Sequence, residues 1–278
     1  MPEGNPAATV GAMSELAERA QIGPLLRDWR ERRRMSQLDL ALGAGVSARH
    51  VSFIETGRSR PSAEMVVQLA EHLDVPLRDR NSLLLAAGYA PAYGQRDLAD
   101  PEMGPVREAI DRLLRGHEPF PAVVVDRHWG LVAGNRTVPL LVEGAAEHLL
   151  EPPANVLRLA LHPEGMAPRI ANLGEWRAHL LDRLGRQAVS SGDPALFALH
   201  EELAGYPGGG GAHSVDLEAG EIAVPLRIRA GDGELAFIST ATTFGTAVDV
   251  TVSELSIESF FPADDVTARA LQAHKLSD

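Results

Sequence analysis

Three serines near the N-terminus constrain the fold more than any other feature of the sequence. Ser36, Ser47 and Ser62 each precede a short segment in which apolar residues recur at helical spacing. A serine in this position caps a helix, because its hydroxyl oxygen accepts a hydrogen bond from a backbone N–H of the first turn. Gly57 marks the end of one of these segments. Residues 22–90 are therefore predicted to form five short helices.

The second and third predicted helices are joined by the short turn Gly43-Ala44-Gly45. Such a pair forms a helix-turn-helix when small and apolar residues lie where the helices pack and polar residues lie on the outer face of the second one. The packing positions are filled by Ala41, Val46, Val51 and Ile54. The expected bounds of the five helices are 22–34, 37–42, 48–55, 63–73 and 77–87.

Charge is distributed unevenly along the chain. The net charge is −12, yet residues 21–60 contain eight basic residues and four acidic ones. A basic segment in an acidic chain is typical of a DNA-binding module attached to another domain, although a run of arginines can also form a solvated helix face. Arg49 stands in the first turn of the third helix, which enters the major groove, and Arg58 and Arg60 follow in a loop suited to phosphate contacts. The candidate DNA contacts are Gln37, Ser47, Ala48, Arg49, His50, Ser52, Arg58 and Arg60.

This helical region resembles the XRE (Cro/repressor-like) family of helix-turn-helix regulators. The resemblance is carried by Ser36-Gln37, Ala41, Gly45-Val46-Ser47, Ile54-Glu55, Gly57 and Pro61-Ser62. It implies that the domain binds double-stranded operator DNA, that Gln37 contacts the DNA backbone and sometimes a base, and that Arg49 contacts a base. It also implies a structural ion pair between Arg30 and Glu55. Ala48 departs from the longer polar residue that the family often has there, which weakens the expected contact with that base.

The rest of the chain has a different character. Residues 1–20 are expected to be a mobile leader to the DNA-binding domain at 21–90, and residues 91–105, which contain three prolines, are expected to be a linker. Gly208–Gly211 is predicted to be a flexible joint within a second domain at 106–278. The pattern of that domain predicts an α+β fold, an antiparallel sheet with helices over one face. Its expected strands are 122–126, 131–133, 221–229, 233–242 and 251–260, and its expected helices are 106–115, several within 155–205, and 263–274.

Several strings in the second domain resemble the ligand-binding domain of MmyB-like regulators. They are His117-Glu118-Pro119-Phe120-Pro121-Ala122, Val125-Asp126-Arg127-His128-Trp129, Asn135-Arg136, Asn155-Val156-Leu157-Arg158-Leu159, Leu161-His162-Pro163-Glu164-Gly165-Met166 and Asn172-Leu173-Gly174-Glu175-Trp176. The resemblance implies a PAS-like sheet around an apolar cavity and a small amphipathic ligand such as a fatty acid. The candidate ligand contacts are Trp129, Asn135, Leu157, Arg158, Leu161, His162 and Trp176. From the residues alone, the tryptophans also suit a core, Arg158 also suits backbone carbonyls or Asp126, and His162 also suits a helix end.

The sequence carries few signs of other classes of protein. It has no cysteine, which excludes disulfides and thiolate metal sites and fits a reducing, cytoplasmic setting. No apolar run is long enough to span a membrane, and the N-terminus lacks a signal sequence. The nucleophile elbow, the P-loop and the His-Glu-x-x-His motif are absent, and the ten histidines lack ligand spacing. No catalytic site, cofactor or metal is therefore expected.

Together these features predict a cytoplasmic transcription regulator with a DNA-binding domain followed by a sensor domain. A homodimer is expected, because one recognition helix contacts only a few base pairs and two-fold pairing doubles the contacts. The alternative is a DNA-binding regulator whose second domain serves only dimerisation or the docking of another protein.

Overall fold

The computed structural model describes residues 22–208, 223–231 and 233–275. They divide into two compact units. The first unit contains the residues up to Gln95 together with Val248–Ser253, and the second contains the remainder. The predicted leader at 1–20 and most of the predicted glycine joint at 208–211 lie outside the described residues.

Five helices form most of the first unit, and the second, third and fourth start at the predicted capping serines. The bounds are α1 Ile22–Arg32, α2 Gln37–Gly43, α3 Ala48–Glu55, α4 Ala63–His72 and α5 Leu77–Ala86. The hydroxyl of Ser36 accepts from the backbone N–H of Asp39, whose carboxylate accepts in return from the backbone N–H of Ser36. Ser47 and Ser62 cap α3 and α4 with their hydroxyls. The predicted five-helix domain is confirmed.

The helices of the first unit pack around one apolar core. Its fully buried side chains include Leu26 of α1, Leu40 of α2, Ile54 of α3 and Leu69 of α4. Each side chain of this size contributes roughly 1.5–3 kcal/mol when it is buried rather than exposed. The turn between α2 and α3 contains Gly45 at φ +65°, a conformation that glycine adopts without strain. The core therefore fixes α3 along one side and leaves its other side in solvent.

The second unit is an α+β domain built on a five-stranded antiparallel sheet. Its strands are β1 Ala122–Val125, β2 Leu131–Gly134, β3 Leu226–Ala230, β4 Gly233–Thr243 and β5 Ser256–Pro262. Its helices are α6 Gly104–His117, α7 Val138–Val142, α8 Glu147–Leu150, α9 Val156–Leu161, α10 Leu173–Ser191, α11 Pro194–Ala204 and α13 Asp265–Lys275. The short helix α12, Val250–Ser253, lies between β4 and β5 in the chain and belongs to the first unit. The strand order β2-β1-β5-β4-β3 is that of a PAS domain, so the predicted fold class is confirmed.

Alternate residues of the strands face opposite sides of the sheet, as the pleat requires. Val123 and Val125 of β1 belong to the large core that the sheet shares with α9, α10 and α11. Ala122 and Val124 belong instead to a smaller core shared with α6. The main helical layer thus covers one face, as predicted, and α6 covers part of the other.

Some predicted boundaries move in the structure. Residues 91–105, predicted as a linker, include a 3-10 turn at Pro101–Met103 and the start of α6, and the side chain of Met103 is buried. The strand expected at 221–229 runs from Leu226 to Ala230 in the structure. None of the described helices is long and apolar enough to cross a membrane.

The strand expected at 251–260 is wrong at its start. Val250–Ser253 forms the short helix α12, which belongs to the first unit, and β5 begins only at residue 256. The carboxylate of Asp249 accepts from the backbone N–H of Thr251 (2.9 Å), and the hydroxyl of Ser253 donates to a backbone carbonyl one turn earlier (2.7 Å). These local hydrogen bonds outweigh the strand preference of the β-branched residues.

Candidate functional site

Two arginines stack on one aromatic ring at the exposed side of α3. Arg49 is exposed, and its guanidinium carbon lies 5.1 Å from the ring centroid of Phe53, one helical turn further on. Arg58 is exposed in the loop after α3, and its guanidinium carbon lies 6.0 Å from the same centroid. Such stacking holds a guanidinium in place while its N–H donors remain available to an anion or a base. The surface therefore presents two oriented positive charges.

A buried ion pair fixes α3 against α1. Arg30 donates from Nε to Oε1 of Glu55 (2.6 Å) and from Nη2 to Oε2 (3.0 Å). The side-chain amide of Gln37 donates to the same Oε2 (2.8 Å). The hydrogen bond that Arg30 donates to Glu55 raises the pKa of Arg30 above its usual value, so the guanidinium stays charged. The predicted pair is present, and the negative charge of Glu55 is neutralised within the domain.

The other predicted DNA contacts divide into surface and anchoring residues. Ser47 caps α3, since its hydroxyl accepts from a backbone N–H in the first turn (3.1 Å). Arg60 donates from Nε and Nη2 to the carbonyl oxygen of Ala87 (3.0 and 2.7 Å), so it ties the loop after α3 to the end of α5. Three further predicted contacts are half-buried on α3, namely Ala48, His50 and Ser52.

The hairpin between β1 and β2 holds Trp129 in a strained backbone conformation. Trp129 has φ +67°, which costs a residue with a side chain about 1–2 kcal/mol. The carboxylate of Asp126 closes the turn by accepting from the backbone N–H groups of His128 and Gly130, both at 2.8 Å. The indole Nε1 of Trp129 donates to Oε1 of Gln187 on α10 (2.9 Å). Strain that is held in place by surrounding hydrogen bonds is typical of functional sites.

An apolar cavity of about 180 Å³ lies between the sheet and the helical layer of the second unit. Its walls come from the sheet, from the β1–β2 hairpin and from α7 to α10. All but three of the lining residues are apolar. The apolar lining residues are Val123, Trp129, Leu131, Val138, Pro139, Leu141, Val142, Leu150, Val156, Leu157, Leu159, Ala160, Met166, Trp176, Leu180, Leu226 and Phe260.

The three polar lining residues are Arg183, Ser239 and Glu258. Arg183 of α10 donates from Nη1 and Nη2 to the two carboxylate oxygens of Glu258 on β5 (2.9 and 2.6 Å), and its guanidinium lies over the ring of Trp129. The side chain of Glu258 is 6% exposed and that of Arg183 is 28% exposed, so the carboxylate of this ion pair is largely removed from water. The buried indole N–H of Trp176 has no hydrogen-bond partner among the described residues. The cavity thus combines an apolar interior with one charged pair in its wall.

The family model of the MmyB-like transcription regulator ligand binding domain matches residues 106–273, more than half of the chain. The chain belongs to the MmyB-like transcription regulators. A helix-turn-helix model matches residues 26–79. This MmyB-like regulator is therefore a DNA-binding transcription regulator with a ligand-binding domain, and both matching families are regulatory rather than enzymatic.

One solved structure with detectable similarity is an RNA-binding light-oxygen-voltage receptor, at 14% sequence identity and a TM-score of 0.23. The match covers 98% of the MmyB-like regulator and 65% of the receptor chain, so the regulator spans less than two thirds of the receptor's length. A likeness at this level carries no argument about function. No curated protein matches the chain.

Three of the seven predicted ligand contacts of the regulator line the cavity, namely Trp129, Leu157 and Trp176. Leu161 is fully buried in the adjoining core and does not appear in the cavity wall. The three predicted polar contacts do not line the cavity either, and each one has protein partners.

Those polar residues are Asn135, Arg158 and His162. The side-chain amide of Asn135 is buried and donates to two backbone carbonyls while its oxygen accepts from a backbone N–H (3.2 Å). Arg158 forms a two-contact ion pair with Glu202 (both 2.8 Å), which raises the pKa of Arg158. The ring of His162 packs edge-on against Tyr206. The charged residues of the cavity wall are therefore Arg183 and Glu258, and not the predicted Arg158 or His162.

Phe53, Arg183 and Glu258 were not among the predicted site residues. Phe53 could have been found, because residues four apart on a helix are neighbours and Arg49 stands four positions earlier. Glu258 lies two residues before Phe260 on β5, which places both side chains on the same face of the sheet. Its pairing with Arg183 spans 75 residues and leaves no local signal.

Proposed function

We propose that this MmyB-like regulator acts in the cytoplasm as a homodimer that binds operator DNA through α3. We further propose that its second unit binds a small amphipathic ligand, such as a fatty acid, whose presence changes the affinity for DNA. The observation that carries the proposal is the apolar cavity with a single charged pair in its wall.

The proposed DNA contacts centre on α3. Arg49 supplies a bidentate donor for a base edge in the major groove, and Arg58 supplies a charge for the phosphate backbone. The side-chain amide of Gln37 has a second N–H besides the one that meets Glu55, so Gln37 can bridge Glu55 and a phosphate. In a two-fold dimer, the two copies of α3 would contact half-sites about 34 Å apart.

The proposed ligand places its apolar chain in the cavity, where each buried methylene contributes about 0.8 kcal/mol. A buried carboxylate head needs hydrogen-bond donors or a cation. Arg183 has five N–H donors and uses two of them for Glu258, so others can serve the head group.

The path of the chain offers a route from the cavity to the DNA-binding unit. Ser239 on β4 and Glu258 and Phe260 on β5 line the cavity. The connection between these two strands includes Val248–Ser253, which belongs to the first unit. A ligand that shifts β4 or β5 therefore acts on a chain segment that is itself part of the DNA-binding unit. The ligand changes operator affinity only by its differential affinity for the two states of the protein.

The test combines extraction of bound molecules with a cavity-filling variant. Mass spectrometry of an organic extract of the purified protein is expected to find an amphiphile, and added medium-chain fatty acid, whose size suits a cavity of about 180 Å³, is expected to raise the melting temperature of the delipidated protein. Leu157→Trp fills the cavity and should abolish this rise. Leu113→Trp, at a half-exposed leucine on α6 outside the cavity, should keep it.

An empty extract together with no thermal response to any fatty acid in the wild type would overturn the sensor proposal. The alternative, a second domain that serves dimerisation or protein docking, would then stand. The outer strand β2, whose Leu131 and Val132 are partly exposed, offers an edge for such an interface.

A further inference from the structure

Three side chains of metal-ligating type meet on the surface of the second unit. His148 lies on α8, His162 directly follows α9, and Glu164 lies in the turn after it. One ligand atom from each lies within 4.8 Å of the others, and Nε2 of His148 is 3.9 Å from Oε2 of Glu164. We propose that these three residues bind one divalent transition-metal ion of the zinc type. The proposal does not depend on the proposed ligand of the cavity.

The distances are within reach of a metal centre. Zinc bonds of about 2.0–2.2 Å in a tetrahedral arrangement place ligand atoms roughly 3.4 Å apart. The side chains of His148 and Glu164 are 58% and 66% exposed, so both can rotate by the small amount that closes this gap. The backbone already joins the two segments, because the N–H of Ala146 donates to the carbonyl oxygen of Glu164 (2.8 Å).

Of the three ligand side chains, the imidazole of His162 is held most firmly by its neighbours. Its ring packs edge-on against Tyr206, with 5.2 Å between the centroids, and its Nδ1 accepts from the backbone N–H of Glu164 (3.1 Å). Metal binding gives up that hydrogen bond, since the second nitrogen of a neutral, metal-bound imidazole carries the proton. The loss is one neutral hydrogen bond at the surface, where water replaces it.

The donor set selects the class of metal. Two imidazole nitrogens and one carboxylate oxygen suit zinc, nickel, cobalt and copper, whereas magnesium and calcium prefer oxygen ligands alone. Three protein ligands leave a fourth position for water. The chain has no cysteine, so a zinc-type ion has no thiolate to prefer elsewhere in this protein.

A bound ion would connect two segments of the cavity wall. Leu150 of α8 and Leu157 and Ala160 of α9 line the cavity. An ion held between His148 and the turn after α9 therefore restrains this wall and stabilises the second unit, with or without a molecule in the cavity.

The experiment uses the untagged full-length protein, stripped of metal with a chelator and titrated with zinc chloride in a calorimeter. We expect one ion per chain and a rise in melting temperature. His148→Ala and Glu164→Gln should each weaken binding at least tenfold, whereas His200→Ala, at a half-buried histidine on α11, should bind as the wild type does. Cobalt should give a tetrahedral visible spectrum that His148→Ala abolishes, and calcium should give no response.

Circular dichroism checks that each variant is folded, and two separate ligand substitutions keep the test decisive if one of them unfolds. Absence of zinc binding in the wild type would overturn the proposal. So would binding of equal strength in the wild type and in a folded ligand variant, because the ion would then lie elsewhere on the chain.

Discussion

Arg49 and Arg58 stack on the same ring, but their positions predict different roles. Arg49→Ala should reduce discrimination between the operator and random DNA by about 1–3 kcal/mol, because it removes a base contact. Arg58→Ala should weaken binding to every sequence and lower the salt slope by about one, because it removes a phosphate contact. Fluorescence anisotropy with a selected operator and a random duplex, at several salt concentrations, separates the two effects. An unchanged affinity ratio in Arg49→Ala would remove Arg49 from the base-contacting residues.

The pair between Arg30 and Glu55 is expected to be one of the most sensitive points of the first unit. Glu55→Ala leaves the buried guanidinium with the carbonyl oxygen of Met35 and, at 3.7 Å, the half-exposed carboxylate of Glu31, so it should lower the free energy of unfolding by about 3–5 kcal/mol. The exposed pair between Asp182 and Arg186 on α10 is a matched control, since both side chains are more than half exposed and such pairs contribute only about 0–1 kcal/mol. Urea denaturation of the two double-mutant cycles measures both coupling energies. Equal couplings would show that burial does not strengthen the pair.

At the scale of elements, the contact between α1 and α3 depends on one glycine. A Cβ atom at Gly23 would lie 2.6 Å from the carbonyl oxygen of Glu55 and 2.8 Å from that of Ile54, and neither backbone group can rotate away. Gly23→Ala should therefore destabilise the fold by about 1–3 kcal/mol. Gly174 holds the equivalent second position of α10 with open space around it, so Gly174→Ala should be neutral or stabilising by up to about 1 kcal/mol. Thermal unfolding of both variants compares the two changes in stability. If α1 can shift away from α3 without cost, Gly23→Ala will be no more destabilising than Gly174→Ala.

The elements differ in how well the sequence predicts them. The bounds of α3 follow from a capping serine and a terminal glycine, which are local signals, and the prediction of Ala48–Glu55 is confirmed. The start of β5 was missed because Asp249 and Ser253 form hydrogen bonds that a β-branched pattern does not reveal. Arg183 was missed for a different reason, since its partner lies on another element and only the folded sheet brings them together. Pairs of residues that are far apart in the sequence, such as Arg183 and Glu258, are therefore the part of the site that sequence patterns did not predict.

At the scale of the whole molecule, the chain passes between the two units after Gln95, before Val248 and after Ser253. If occupancy of the cavity and operator binding share one equilibrium, their coupling must be reciprocal. A ligand that changes operator affinity tenfold corresponds to a coupling of about 1.4 kcal/mol, and saturating operator must then change ligand affinity tenfold in the same direction. Titration of a fluorescent fatty acid with and without operator measures the change in ligand affinity. Titration of operator with and without the fatty acid measures the change in operator affinity. A random duplex is the control for charge effects, and Leu157→Trp should lose the response of operator binding to the fatty acid. Unequal changes in the two affinities would show that ligand binding and operator binding do not share one equilibrium. If neither affinity changes, the result would favour a second unit that only dimerises or docks another protein.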